Sequence, residues 1–152
     1  MKTGLLLMSL ILITVIACNK DKFETKPQLK FKSKNTDLVQ VNGDLRINIE
    51  YTDKEGDVSD SLIVVRQRLN RRGPIILLSP YVIPGFPLTT KGEFEVTFAY
   101  QRDLIFNIPA LTIPGSNPVQ RETDTLVLKF VARDKAGNKS DTLTVSNIYV
   151  KR

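Results

Sequence analysis

The feature that most constrains the fold is a two-residue alternation of apolar and polar side chains, which runs from about residue 29 to residue 150. The alternation is clearest in residues 45–51, 94–100 and 126–132. Successive side chains of a β-strand point to opposite faces, so this period predicts strands that bury one face. No stretch long enough for a helix carries a helical apolar stripe, and the sequence therefore predicts an all-β fold.

Turn residues divide the alternating region into about seven short strands, a pattern typical of an antiparallel sandwich of two sheets. The pair Asn42-Gly43 predicts a type I′ hairpin. The continuous apolar run at residues 62–65 predicts a central strand that is covered on both faces. Residues 104–106 are expected either to extend the strand before them or to form a short strand of their own.

The last two strands are predicted on either side of a turn at residues 134–138. On the returning strand the inward apolar set passes from Val145 to Ile148, which is an odd step. An odd step moves side chains to the other face unless an extra residue is inserted. We therefore predict a β-bulge near Ser146 and Asn147.

The N-terminal region combines an early lysine, an apolar run at residues 5–16 and a small residue before Cys18. This arrangement is typical of a cleaved secretory signal. The alternative, a transmembrane helix, would need roughly 20 apolar residues and the run is shorter. Residues 15–18, VIAC, resemble the lipobox of bacterial lipoproteins, and the resemblance implies that Cys18 carries lipid on its sulfur and nitrogen.

The expected organisation is therefore a lipoprotein signal peptide at residues 1–17, a lipidated cysteine with a flexible tether at residues 18–27, and a β-domain at residues 28–152. The tether composition is polar and unsuited to a core. Asn19 stands where lipoproteins kept in the inner membrane commonly carry Asp. The resemblance thus favours the outer membrane of a bacterial envelope, facing the periplasm or the surface, with the membrane as a partner through the lipid.

Composition excludes several kinds of chemistry. The chain has no histidine and a single cysteine, which removes the usual general base, the commonest metal ligand and most nucleophile–base pairs. The formal net charge is +6, but the cations are scattered and form no dense block of the kind that binds nucleic acid. We therefore expect neither an enzyme nor a nucleic-acid partner.

Two segments resemble a known group of folds. Residues 130–141, FVARDKAGNKSD, look like the last strand pair and turn of bacterial immunoglobulin-like and fibronectin type III-like domains. Residues 51–57, YTDKEGD, are similar to an early turn of cadherin-like and polycystic-kidney-disease-type domains. The resemblance implies an immunoglobulin-like sandwich. Antibody domains are a separate branch, because their paired cysteines and core tryptophan are absent.

The same two turns are rich in acidic residues, and an immunoglobulin-like topology would bring them to one end of the sandwich. Ca²⁺ takes six to eight oxygen ligands, which carboxylates around a glycine bend supply. The alternative is that these residue types are present because turns favour them. The candidate calcium ligands are Asp53, Glu55, Asp57, Asp134 and Asn138.

Two proline-rich segments, residues 71–88 and 108–115, are unusually apolar for connections. We expect them to lie together at the end opposite the acidic turns and to form a partner-binding surface. The alternative is that they cover each other, with residues 75–78 as an extra edge strand protected by prolines. The candidate partner-binding residues are Ile83, Phe86, Leu88, Leu111 and Ile113.

These expectations combine into a lipid-anchored, non-catalytic accessory module of the envelope that acts by protein–protein interaction. A calcium-binding or carbohydrate-binding adhesion module is the alternative. Carbohydrate platforms need exposed aromatic rings, and Tyr81 is the one tyrosine that we place in a loop. The identity of the partner and the oligomeric state stay open.

Overall fold

The computed structural model describes residues 25–58, 61–81 and 89–152 of the chain. The predicted signal peptide, Cys18 and most of the predicted tether lie outside these ranges. Among the residues that the structure describes, no helix is long and apolar enough to cross a membrane. The strands are β1 (Gln28–Lys34), β2 (Leu38–Val39), β3 (Asp44–Thr52), β4 (Ser61–Arg68), β5 (Ile75–Tyr81), β6 (Lys91–Ala99), β7 (Asp124–Arg133) and β8 (Leu143–Val150).

The strands form two sheets. One sheet has the order β1-β3-β6 and the other has the order β2-β8-β7-β4-β5. All pairings are antiparallel except that of β2 with β8, which is parallel. The prediction of an all-β, two-sheet sandwich is confirmed. The count of about seven strands becomes eight, because two residues of β2 align along β8.

The core lies between the sheets and consists of the predicted inward residues. The ring of Phe98 in β6 meets that of Phe130 in β7 edge-on, with centroids 6.1 Å apart. Burying these apolar faces is the main favourable term in folding. The buried positions predicted from the alternation are Leu45, Ile47, Ile49, Tyr51, Phe94, Val96, Phe98, Tyr100, Leu126, Leu128, Phe130, Ala132, Val145, Ile148 and Val150.

The hairpin predicted at Asn42-Gly43 is wrong. A turn is present, with Gly43 N–H donating to the carbonyl of Gln40, and Asn42 adopts a φ of 60°. However, the strands on either side of it belong to different sheets. A type I′ turn needs positive φ at both central residues, and Val41 does not have it. The residues Asn42-Gly43 thus predicted a turn correctly, but they did not predict that the strands before and after it pair in different sheets.

Two further expectations are corrected in detail. β4 is central, between β7 and β5, but its burial alternates: Leu62 and Val64 are buried, whereas Ile63 and Val65 are only half-buried. One face of β4 is therefore covered rather than both.

Residues 104–106 form no strand. The chain after β6 makes a π-helical turn, Tyr100–Leu104, instead. Ala99 N–H closes this turn by donating to the Asp103 carboxylate.

The predicted β-bulge is confirmed. The pairing of β7 with β8 passes from Leu126 opposite Ile148 to Leu128 opposite Val145, so one residue of β7 faces two residues of β8. The two residues are Ser146 and Asn147, and Asn147 has a φ of 57°. The inserted residue restores the inward direction of the last apolar side chains.

A network of buried charges closes the end of the sandwich opposite the β3–β4 loop. Asp124, fully buried at the start of β7, lies 3.3 Å from Arg68 Nη1 and 3.0 Å from Arg152 Nε. Arg68 also donates to the carbonyls of Gly73 and Pro109. Asp124 is thus the counter-charge shared by two guanidinium groups, which hold the turn after β4 and the long connection before β7. Burial raises the pKa of Asp124 in spite of the two arginines, which lower it.

Replacing Asp124 by Asn should destabilise the protein by about 3–5 kcal/mol, because two buried guanidinium groups would lose their counter-charge. The measurement is the free energy of unfolding in urea. Glu122→Gln is the matched control: Glu122 pairs with the half-exposed Arg72, and an exposed pair contributes about 1 kcal/mol or less. Equal losses in the two variants would contradict a special role for the buried network.

Candidate metal centre

Two loops meet at one end of the sandwich. The loop after β3 begins at Asp53, and the turn after β7 begins at Asp134. β4 starts beside the end of β7, with Ser61 opposite Arg133, so the two loops are neighbours. We call this the acidic end, defined by Asp53, Asp57 and Asp134. The chain also enters the sandwich here, because Gln28 pairs with Thr52.

The loop after β3 is held in a tight bend around Asp53. Its side-chain Oδ2 accepts a hydrogen bond of 3.0 Å from Asp57 N–H, and its own N–H donates to the carbonyl of Thr90. Gly56 has a φ of +70°, and a Cβ there would lie 2.9 Å from the backbone of Thr89. Glycine is therefore required for both the backbone angle and the space.

The turn after β7 is built around Asp134 in a similar way. Asp134 is 1% exposed, and its Oδ1 accepts from Asn138 N–H at 2.7 Å while its Oδ2 accepts from Asn138 Nδ2 at 2.8 Å. Gly137 supplies the positive φ, 91°, that the turn requires. Asn138 presents its donor end to Asp134, so it orients that carboxylate.

The structure brings three of the five predicted ligands together. One carboxylate oxygen from each of Asp53, Asp57 and Asp134 lies within 4.8 Å of the others. Glu55 is exposed and does not belong to this group. Asn138 is joined to the group through its hydrogen bonds to Asp134. The expectation of a shared acidic end is confirmed, with a smaller set of carboxylates than the sequence indicated.

The electrostatics of this group are unfavourable without a cation. Burial raises the pKa of Asp57 above its usual value, and a hydrogen bond with Asp53 and the negative charge of Asp134 raise it further. Within the described ranges, none of the three carboxylates pairs with a lysine or arginine. The like charges therefore repel one another.

The hydrogen-bond inventory identifies where a positive charge would be most favourable. Asp53 is fully buried, and its Oδ1 has no hydrogen-bond partner among the described residues; Asp57 Oδ1 is in the same state. A buried polar atom without a partner costs about 1–3 kcal/mol, and more if it is charged. Three convergent carboxylates suit a hard cation, since Ca²⁺–oxygen distances of about 2.3–2.6 Å let one ion touch oxygens this close together.

The candidate partner-binding residues do not form one surface in the described part of the chain. Ile83, Phe86 and Leu88 lie outside the described residues. Leu111 is half-buried and Ile113 is 42% exposed, both in the connection before β7.

The two proline-rich segments meet at their N-terminal parts. Arg72 donates to the carbonyl of Thr112 at 2.6 Å, and Arg68 donates to the carbonyls of both Gly73 and Pro109. The first segment includes β5, whose last residue Tyr81 pairs with Leu62 near the start of β4, and the first described residue after the gap, Thr89, contacts Gly56. Both residues flanking the gap are therefore at the acidic end, whereas residues 108–115 begin at the opposite end, beside Arg68. The expectation that the two segments share the end opposite the acidic turns therefore holds for residues 71–73 and does not hold for Tyr81 and Thr89.

The alternative expectation of an extra edge strand is confirmed by β5, which pairs with β4 along its whole length. Tyr81, placed in a loop by the sequence, is the last residue of this strand. Its ring is half-buried and meets Phe98 edge-on at 5.3 Å. Burial and the nearby Asp103 raise its pKa to about 12. Tyr81 is therefore not an exposed platform for a sugar ring.

Sequence reasoning missed the buried arginines of β4. Arg66 is 5% exposed and Arg68 is 2% exposed, and both point inward. Arg66 donates to the carbonyl of Phe106, next to the π-helical turn. The two-residue period does indicate this burial, because positions 62, 64, 66 and 68 share one face of the strand. Because charged residues are rarely buried, however, the sequence pattern alone places the apolar part of the strand at residues 62–65 and does not predict that the arginines lie in the core.

Comparison with known proteins places no family name on this chain. No protein-family model matches it, and no curated protein matches it. Among solved structures, a β-glucosidase from Listeria innocua in complex with gluconolactone aligns with 88% of this chain and 17% of its own length, at 12% identity and a TM-score of 0.36. So low a TM-score carries no argument about fold or activity.

Proposed function

We propose that this protein is a non-catalytic, lipid-anchored module of a bacterial envelope, and that its immunoglobulin-like sandwich binds Ca²⁺ at the acidic end. The observation that carries the proposal is the buried carboxylate of Asp53. Its Oδ1 has no hydrogen-bond partner among the described residues, and one of its oxygens lies within 4.8 Å of oxygens of Asp57 and Asp134. Burying such a group without a compensating charge is strongly unfavourable. A bound Ca²⁺ offsets that cost and the mutual repulsion together.

The strand order supports the immunoglobulin-like part of the proposal. If β1, β3 and β6 are lettered A, B and E, and β4, β5, β7 and β8 are lettered C, C′, F and G, the sheets become ABE and GFCC′. This is the arrangement of immunoglobulin sandwiches, in which the B–C and F–G loops share one end. The acidic end consists of those two loops.

The proposed anchor is the lipid on Cys18, motivated by residues 15–18 and the apolar run before them. The described chain enters β1 at the acidic end, where Pro27 is buried and Lys26 pairs with Asp141 at 2.7 Å. A tether from Cys18 to this point is short. The acidic end is therefore proposed to face the membrane, and the opposite end to project away from it.

The projecting end supports a second role as a docking surface for a partner protein. Apolar residues exposed there are Leu69 at 48%, Phe106 at 59%, Ile113 at 42% and Val119 at 74%. Exposed apolar clusters commonly mark interaction sites. This surface differs from the one expected from the sequence, because it combines Leu69 of the connection after β4 with three residues of the connection before β7.

Adding Ca²⁺ to protein stripped with a chelator should raise the melting temperature. Extracellular calcium modules have dissociation constants of about 10⁻⁴–10⁻³ M, so excess of about 100-fold over that constant would stabilise the fold by about 2.7 kcal/mol. The measurement is thermal unfolding followed by circular dichroism, with calorimetric titration as the direct readout of binding.

The matched variants for this experiment are Asp53→Asn, Asp134→Asn and Glu55→Gln, each of which removes one negative charge. The first two should abolish the calcium-dependent increase, whereas Glu55→Gln should keep it, because Glu55 lies in the same loop but outside the cluster. No heat and no change in melting temperature for the parent protein would reject the calcium site.

Without divalent cations, Asp57→Asn should be more stable than the parent at neutral pH. The pKa of Asp57 is raised in the folded state above its ordinary value of 3.8. Its stabilising contribution is therefore present below pH 3.8 and is lost as pH rises through the raised pKa. The advantage of the variant should disappear in acid, and excess Ca²⁺ at neutral pH should reverse the order. Urea unfolding at several pH values measures this difference, and a constant difference would contradict it.

Cells that express the full chain should incorporate radiolabelled palmitate into it, and Cys18→Ser should abolish the label. Cys18 is the only cysteine of the chain, so a lipid carried on a cysteine sulfur has no other attachment point. Fractionation should then move the variant out of the washed membrane pellet or leave it with an uncleaved signal. An unlabelled parent protein would overturn the proposed anchor.

A further inference from the structure

The two sheets have four edges in the part of the chain that the structure describes, and three of them are protected against pairing. An unprotected edge strand exposes a row of N–H and C=O groups that another strand can use. β1 carries exposed lysines and a bulge at Lys32, where its register with β3 shifts. β6 presents Lys91, Glu93 and Glu95 outward. On the third edge β2 covers only the end of β8, and the rest of β8 is interrupted by its bulge, where Lys34 donates to the carbonyls of Ser146 and Asn147.

β5 is different. Its seven residues, IILLSPY, include no charge, and its register with β4 runs without a bulge from Ile75 to Tyr81. Ile76 and Leu78 point away from the core and are 67% and 69% exposed. β5 thus combines an uncharged, regular edge with apolar side chains on its outer face, next to the half-buried Val65 of β4.

Proline fixes the direction of the free backbone groups of β5. Pro80 lies opposite Ile63 and has no N–H to donate. We therefore assign Ile63 and Pro80 as a non-hydrogen-bonded pair of the antiparallel ladder. Bonded and non-bonded pairs alternate along antiparallel strands. By the same alternation, Ile76 and Leu78 direct their N–H and C=O groups away from β4, toward the open edge.

We propose that β5 is an interface between two copies of this chain, in which the two β5 strands pair antiparallel about a two-fold axis. The two five-stranded sheets would then form one continuous sheet of ten strands. The N–H and C=O groups of Ile76 and Leu78 would bond those of the second copy, and their side chains would lie side by side on the outer face.

Symmetry favours a second copy as the occupant, because two antiparallel β5 strands are self-complementary: Ile76 of one copy would lie opposite Leu78 of the other. The chain has a formal net charge of +6, and lysines stand on both edges of the three-stranded sheet. β5 is the edge at which two such chains meet without opposing lysines. Because each chain offers one strand of this kind, the pairing is isologous and ends at two copies. Pro74 and Pro80 bound the pairing, since neither can donate a backbone hydrogen bond.

Cross-linking of the full chain in detergent-solubilised membranes tests this interface. Leu78→Cys places a thiol on the outer face of β5, and Thr97→Cys places an equally exposed thiol on β6, the edge strand of the other sheet. A short bismaleimide should give several-fold more covalent dimer with Leu78→Cys than with Thr97→Cys. The parent chain, with Cys18 alone, measures the background.

Adding Ile76→Lys to Leu78→Cys should reduce the dimer to the level of the Thr97→Cys control, because a lysine of each copy would then lie next to the two-fold axis. Ile76 is two-thirds exposed, so the fold should survive, as circular dichroism would verify. Sedimentation equilibrium of the parent chain gives a readout without substitutions and should show a dimer. A monomer there, or equal cross-linking at positions 78 and 97, would overturn the proposal.

Discussion

The structure depends on burying two apolar faces against each other without any covalent link between the sheets. Each sheet contributes every second side chain, and aromatic contacts such as that of Phe98 with Phe130 join the two layers near the centre. The single cysteine leaves packing as the source of stability. Everything polar must therefore be placed at the ends and on the outer faces of the sandwich, and the two ends do this differently.

Both ends bury carboxylates, but among the described residues the carboxylates of one end alone pair with arginines. At the end opposite the acidic end, Asp124 lies between Arg68 and Arg152, and both arginines also donate to backbone carbonyls. At the acidic end, Asp53, Asp57 and Asp134 converge without a cation from the described residues. The cost of burying a carboxylate is thus offset by arginines at one end, and we propose that a bound ion offsets it at the other. This contrast is the physical basis of the proposed calcium site.

The outer surfaces of the two sheets also differ in charge. The three-stranded sheet is covered by alternating lysine and glutamate side chains, such as Lys32 between Glu50 and Glu93, which keep it solvated. The five-stranded sheet ends in β5, where Ile76 and Leu78 are exposed. The proposed cation site and the proposed pairing edge lie on different elements, so an ion bound at the acidic end would leave β5 free to pair.

The sequence by itself determined the strands, their inward faces, the bulge at Ser146 and Asn147 and the turns that hold Asp53 and Asp134, because these follow from local periodicity and turn chemistry. Only the tertiary structure decided which strands pair, as the turn at Asn42 shows by joining two sheets. It also decided that Glu55 points away from the cluster and that Arg68 is buried. Pairing and burial depend on residues that are distant in the chain. A charged side chain such as that of Arg68 is therefore expected to be exposed when the sequence alone is considered, because its partner Asp124 is 56 positions away.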